Sequence, residues 1–239
     1  MLRLNPTLKL APPAKTYARM GLAVIDSVLA PDDAEALAEA MIEADGFSLA
    51  VRLDGVARRF DLEEIGAMEQ AERAAFEARL AEGARTVPQH RYECFDLSQA
   101  GRDGRALTPI FAAALALVES EAFLALARRV CWRDTIAGVE ARLTRFQPGH
   151  FETRHDDDAP RARRVAAFAL HLCRDWRADH GGVLNFFGGD EEVRRGVTPG
   201  FNRLILYSVP RPHAVSMVAP FAPRPRLALS GWLTEGRGV

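Results

Sequence analysis

His155-Asp156-Asp157 places an imidazole and a carboxylate two positions apart. Along an extended strand, side chains at i and i+2 point to one face, so His155 and Asp157 can address a single cation together. An aspartate-rich polar turn accounts for the same three residues when they are taken alone. His213 lies in Pro210-Arg211-Pro212-His213-Ala214-Val215, at the head of a second strand-like run. By itself it reads as a loop or capping histidine. Two histidines and one carboxylate from separate strands make a facial set that leaves adjacent coordination positions open, which suits non-haem Fe(II). Arg226 opens the apolar run Arg226-Leu227-Ala228-Leu229-Ser230-Gly231-Trp232. A guanidinium there can grip a carboxylate through two parallel, charge-assisted hydrogen bonds. Arg226 alone reads as a surface charge, and Arg224, two residues earlier, competes for the role.

Other polar residues have plainer readings. Gly181-Gly182 permits a tight turn or close backbone approach, and an ordinary hairpin turn is enough to explain it. His150 and His180 sit among turn residues and read as solvent-exposed loop histidines, with His150 able to edge a pocket. Asp156 and Asp158 read as turn and supporting residues, because strand alternation points them away from His155. Arg161, Arg163 and Arg164 read as a solvated basic turn. Trp132 and Trp176 read as packing residues.

These side chains need elements to hold them. From Glu140 onward, short apolar runs alternate with Gly, Pro and Asp clusters, as in an all-β domain. Strands are expected over Glu140–Phe146, Phe151–His155, Val165–Leu172, Val183–Phe187, Leu204–Val209, His213–Val218 and Arg226–Leu233. Upstream, to about Val139, the chain reads mainly as helices with a few strands. Gly21–Leu29 is an expected strand and Gln89–Phe95 another. Pro31-Asp32-Asp33 opens a helix over Ala34–Glu43, with acids in its first turn where the helix dipole favours them and Gly46 to close it. Gln70–Leu80, Leu107–Val118 and Glu121–Val130 have helical periodicity, with a loop at Gly101-Arg102-Asp103-Gly104 before the last pair. The expected fold is mainly β with a helical N-terminal layer covering one sheet face, organised as one domain over 1–239: a mostly helical support region over 1–139 and a sandwich or jelly roll over 140–239.

Bulk properties narrow the function classes. The 239 residues carry 31 basic and 32 acidic side chains, a formal net charge of -1, so no global field favours nucleic acid or an anionic membrane. Three widely spaced cysteines, Cys94, Cys131 and Cys173, form no CxxC pair. They argue against a disulfide framework or a structural zinc site and fit a reducing, cytoplasmic setting. The start MLRLNPTLKLAPPAKTY is broken by prolines and lacks the continuous apolar stretch of a signal peptide.

Four blocks occur in order: RFQPGHFETRHDDD, RRVAAFALHLCRDWRADHGGVLNFF, RLILYSVPRPHAV and RPRLALSGWL. Their order, with His213, Arg226 and Trp232 in place, resembles the catalytic domain of prolyl-hydroxylase-like Fe(II)/2-oxoglutarate oxygenases, nearest to the branch that hydroxylates a proline of a ribosomal protein, here with a single catalytic domain. The likeness spans about Glu140 to Leu233. It implies a double-stranded β-helix, the cupin-like jelly roll. It places the metal on His155, Asp157 and His213 and the distal carboxylate of 2-oxoglutarate on Arg226. His171 stands where the family often has a tyrosine bonded to that same carboxylate, and Phe146 stands near another such tyrosine. The implied cofactors are Fe(II), the cosubstrate 2-oxoglutarate and O2, with ascorbate as an accessory reductant. The implied reaction is hydroxylation of a substrate C–H, first a prolyl residue in a protein. Two alternatives are a free amino acid or other small molecule as substrate, and a non-catalytic cupin-like binding module.

Overall fold

A computed structural model describes residues 1–236. The first part of the chain runs through α1 (Ala11–Met20), β1 (Leu22–Asp26), α2 (Pro31–Glu43), β2 (Ser48–Leu53) and β3 (Val56–Asp61). It continues through α3 (Leu62–Ala67), α4 (Gln70–Gly83), β4 (His90–Asp96), α5 (Leu97–Arg102), α6 (Pro109–Glu119) and α7 (Glu121–Cys131). The second part is β5 (Ile136–Phe146), β6 (Phe151–His155), β7 (Arg164–Leu172), β8 (Leu184–Phe187), β9 (Val193–Val197), β10 (Phe201–Ser208), β11 (His213–Val215) and β12 (Arg226–Glu235).

All strand pairings are antiparallel. The sheet runs β1-β10-β7-β12-β5-β4-β6-β11-β8-β9, with β2 and β3 branching from β4. It curls, so that β6-β11-β8-β9 comes to face β5-β12-β7-β10 across a common interior, the jelly-roll arrangement expected from the sequence. Alternation along each strand sorts the side chains onto the two faces. Phe168, Leu170 and Leu172 of β7, Leu204 and Leu206 of β10, and Leu227 and Leu229 of β12 point outward into one core with α2, α6 and α7. Ala167, Ile205, Tyr207 and Phe146 point inward and meet Leu184, Phe186, Val197 and Val215 from the opposite strands. The helices therefore cover the outer face and leave the inner one for the site.

The helices begin as their sequences direct. Asp61, Asp96, Thr108 and Ser120 cap α3, α5, α6 and α7 by accepting a backbone N–H of the first turn. Pro31 opens α2. That helix ends at Glu43 and not at Gly46, because Ala44 is already extended. Gly46 makes the following turn at φ 81. The segment 97–102, expected in part as loop, is the short helix α5. No helix among the described residues is long and apolar enough to cross a membrane, and all three cysteines are buried and free.

Arg145 ties the helical layer to the sheet. Its Nε donates to Glu93 at 2.7 Å, and its Nη1 donates to the carbonyls of Met41, Ile42 and Ala44 at the end of α2. Both side chains of the ion pair are only 10% exposed. Removing one partner strands the other charge in the interior. Arg145→Ala should lower unfolding stability by about 3–5 kcal/mol, read from urea denaturation. A loss near that of an exposed pair would show that water reaches Glu93.

Candidate active site

His155 ends β6 and His213 begins β11. The two strands pair with these residues directly opposite each other, which sets the ring centroids 4.1 Å apart. Asp157 joins them by a route that strand alternation does not describe. The strand stops at His155, and Asp157 adopts φ 63, in the left-handed region. The Asp156 carboxylate accepts the Asp158 N–H at 3.0 Å and stabilises the turn. Aspartate tolerates such a backbone better than most residues.

The nitrogen–oxygen distances are 3.6 Å from His155 Nε2 to Asp157 Oδ1 and 3.4 Å from His213 Nε2 to Asp157 Oδ2. The three ligand atoms lie within 4.8 Å of one another. Their protonation follows from the neighbours. His155 Nδ1 faces the Thr153 carbonyl at 2.9 Å and His213 Nδ1 faces the Arg211 carbonyl at 2.7 Å. A carbonyl only accepts, so Nδ1 carries the hydrogen and Nε2 turns its lone pair toward Asp157. Two lone pairs and a carboxylate thus converge, an arrangement that a divalent cation satisfies. Burial works against charge on His155, but Glu152 and Asp157 outweigh it and raise its pKa. Burial and the neighbouring His155 hold His213 below its ordinary value. The donor set fits a metal of the Fe(II) class.

A partly open cavity extends from this triad toward Arg226. Arg226 is 3% exposed, and among the described residues no carboxylate lies within ion-pair distance of it. Burial weighs against its charge, yet a guanidinium stays protonated. Its Nη2 donates to His171 Nε2 at 2.9 Å, and the guanidinium lies 4.9 Å from the Phe146 ring centroid. Gly182 lets this stem pass: it sits at φ 63, and a Cβ there would lie 2.8 Å from Arg226 Cδ. The neighbouring Gly181 presses its Cα against the Met217 carbonyl, which a Cβ would meet at 2.0 Å. The glycine pair therefore serves close approach as well as a turn.

The other candidates separate cleanly. Arg224 is exposed and lines a different cavity with Glu39 and Trp176. His171 is fully buried and meets Arg226 from behind; it does not line the triad's cavity. Arg164 is drawn out of the basic turn: it pairs with Glu140 at 3.0 Å and lies 3.5 Å over the Trp232 ring. Arg161 and Arg163 are exposed. Trp132 is no core residue. It is 69% exposed, caps α7 in the left-handed region and donates its indole N–H to the Ala14 carbonyl at 3.0 Å. His150 and His180 are buried, contrary to the expectation of solvent-exposed loops. His180 packs edge-on against Trp176 at 5.4 Å and accepts the Arg177 N–H. The loop after β11 passes over His150, whose carbonyl accepts the Val218 N–H.

Four polar residues of the cavity carry no signal that sequence reasoning used: Tyr92, Arg142, Glu152 and Tyr207. The Tyr207 hydroxyl stands 3.2 Å from His213 Nε2 and 3.4 Å from Asp157 Oδ2. Burial, reinforced by Asp157, keeps it protonated. Tyr207 lies in an apolar strand and reads there as a core aromatic. Arg142 was legible in principle, since strand alternation puts it on the same face of β5 as Thr144 and Phe146; Glu152 lies in the polar strand β6, where a charge carries no such signal.

The family model described as the 2OG-Fe(II) oxygenase superfamily matches residues 141–234. No curated protein matches the sequence. Among solved structures, a prolyl-4-hydroxylase of Pseudomonas putida superposes with a TM-score of 0.61 at 21% identity, covering 96% of this chain and 100% of that one. An oxidoreductase of Burkholderia pseudomallei, of the 2OG-Fe(II) oxygenase family, gives 0.60 at 15% identity, with 99% and 95% covered. A Trichoplax adhaerens prolyl hydroxylase in complex with a peptide fragment of the hypoxia inducible factor oxygen degradation domain gives 0.59 at 14% identity, with 93% and 87% covered. At these identities the likeness establishes the fold.

Burial also sets a pH dependence. It pushes the His150 pKa down to about 3 and that of His171 well below its ordinary value, with Arg226 adding to the effect. In the unfolded chain both titrate near about 6.5. Below that pH the unfolded state binds more protons than the folded one, so stability falls as pH drops through about 6.5 and further. His150→Phe should flatten the decline of Tm between about pH 6.5 and pH 4. Thermal melts across that range check it, and an unchanged slope would place the proton uptake elsewhere.

Proposed function

We propose that this chain, whose segment 141–234 belongs to the 2OG-Fe(II) oxygenase superfamily, hydroxylates a C–H bond of its substrate, a prolyl residue of a protein in the first instance. The dioxygenase class follows from the superfamily, whose members use Fe(II), 2-oxoglutarate and O2. The observation that carries the oxygenase reading is the pairing, within one cavity, of the triad with a buried guanidinium that has no carboxylate partner among the described residues. A buried unpaired charge is unfavourable unless a ligand satisfies it, and the far carboxylate of 2-oxoglutarate is such a ligand. A binding module has no need of both features. The prolyl reading is supported by the shared fold, since two of the similar structures are prolyl hydroxylases, one of them bound to a peptide.

His155, Asp157 and His213 hold the cation, with Nε2 the ligating atom of each histidine. When bound, Fe(II) supplies the redox chemistry that couples decarboxylation of the 2-oxo acid to oxygen insertion. Arg226 orients the 2-oxo acid by its distal carboxylate. His171, neutral because it is buried, accepts from Nη2 and so fixes which edge of the guanidinium faces the cavity. Phe146 and Tyr92, stacked at 4.9 Å, form an apolar wall that excludes water and strengthens the ionic contacts. With His213 Nε2 given to the cation, the one hydrogen of the Tyr207 hydroxyl goes to Asp157 and steadies the carboxylate. The reaction requires no protein general base.

His155→Ala or Asp157→Ala should abolish succinate formation from 2-oxoglutarate and remove Fe(II) binding in anaerobic titration. Normal turnover by either variant would reject the assignment. Arg226→Ala should leave metal binding intact and raise the 2-oxoglutarate concentration needed for half-maximal turnover by at least about tenfold, the loss of one charge-assisted pair. An unchanged requirement would move the cosubstrate site away from Arg226.

A further inference from the structure

The cavity holds a second guanidinium that the oxygenase reading leaves without a task. Arg142 lies inward on β5, opposite Ser230 of β12, and lines the cavity with Trp232 and the triad. The two cavity carboxylates are Asp157 and Glu152, and neither comes within ion-pair distance of Arg142; nor does any other carboxylate among the described residues. The other arginine of β5 behaves differently: Arg145 is matched by Glu93 and three carbonyls. Arg164, which shares the Trp232 ring with Arg142, is matched by Glu140.

Arg142 is held ready for a ligand. Its Nη1 donates to the Tyr92 hydroxyl at 2.7 Å, and its guanidinium carbon lies 4.0 Å from the Trp232 ring centroid. Tyr92 is in turn fixed by its stacking on Phe146. Among the described residues no second protein acceptor reaches Arg142, so the rest of its fork is left for the cavity. A planar fork seated on an aromatic platform, with part of its edge open, suits bidentate capture of a carboxylate at small ordering cost.

We infer that Arg142 is the substrate anchor, selecting a compound that presents a carboxylate near the carbon to be hydroxylated. This rests on the oxygenase reading, in which Arg226 is already committed to 2-oxoglutarate. The carboxylate can belong to a free amino or imino acid, or to an acidic side chain beside the target residue of a peptide. The chemistry at Arg142 is the same in both cases.

The test is calorimetric titration of the protein loaded with Fe(II) and 2-oxoglutarate under anaerobic conditions. The probes are free amino and imino acids against their carboxamides, and proline peptides carrying Glu or Gln beside the proline. Wild-type protein should bind carboxylate members at least about tenfold more tightly than their amides, one charge-assisted contact's worth of discrimination. Arg142→Met should erase that difference, Arg142→Lys should restore part of it, and both should bind 2-oxoglutarate as wild type does. Preference among the free acids marks a small-molecule substrate; preference for the Glu peptide marks a protein one. The inference is overturned if no carboxylate outbinds its amide in wild type, including the case in which nothing binds. It is equally overturned if the preference survives Arg142→Met, or if that variant loses 2-oxoglutarate. Wild-type protein that takes up no 2-oxoglutarate in the presence of Fe(II) defeats the oxygenase reading itself, and the anchor falls with it.

Discussion

Three lone-pair donors pointed at one another in a mostly closed space repel unless something positive lies among them. That constraint organises the site. The carbonyls of Thr153 and Arg211 fix the hydrogens of both imidazoles on the outer nitrogens, so both Nε2 atoms face Asp157 as acceptors. Among the described residues the Tyr207 hydroxyl offers one hydrogen to the convergence, and the raised pKa of His155 marks the same demand for positive charge. The convergence therefore suits a cation, and the strand register maintains it. Pairing of β6 with β11 sets His155 against His213; a slip of one residue would turn one ring to the other face.

A polar interior of this kind is held together from outside. The inner face of the sheet carries Arg142, Thr144, Glu152, Asp157, Tyr207 and Arg226 around one cavity, beside a smaller apolar cluster of Leu184, Phe186, Val197 and Ile205. The outer face of the same strands supplies the larger apolar core, with Leu143, Phe168, Leu170, Leu206 and Leu229 packed under α2, α6 and α7. The helical layer is thus a requirement of the site: strands with a charged inner face need an apolar outer one and something to bury it against. Arg145 fastens the two layers from the outer face of β5, between the cavity-lining Thr144 and Phe146.

Much of this was legible in the sequence. The seven strands expected after Glu140 all form, with ends shifted by a few residues, because their apolar runs are bounded by Gly, Pro and Asp. β9 has no sequence signal, since Val193-Arg194-Arg195-Gly196-Val197 is an exposed edge without apolar alternation. The hairpin of β2 and β3 was also passed over, although Asp54-Gly55 sits at its turn with φ 51 and 78, the backbone that an Asp-Gly turn of the primed type requires. The triad and Arg226 were readable as residue types in order. The left-handed turn at Asp157 was not, because strand alternation gives the same convergence by a different geometry. The burial of His150 and His180 was hidden because the loop after β11 folds back over them, a contact that no local pattern encodes.

The two cavity arginines differ in how far burial commits them. Arg226 is walled in, with His171 behind, Phe146 beside and Gly182 against its stem, so a ligand it takes must come to one fixed place. Arg142 is half-buried, leaning on Trp232 and steadied by one phenol. A cosubstrate common to every turnover suits the first environment. A substrate that must enter and, once hydroxylated, leave suits the second, where the side chain keeps some exposure to solvent. The same guanidinium, set at two degrees of exposure on one sheet face, is thereby suited to two kinds of ligand.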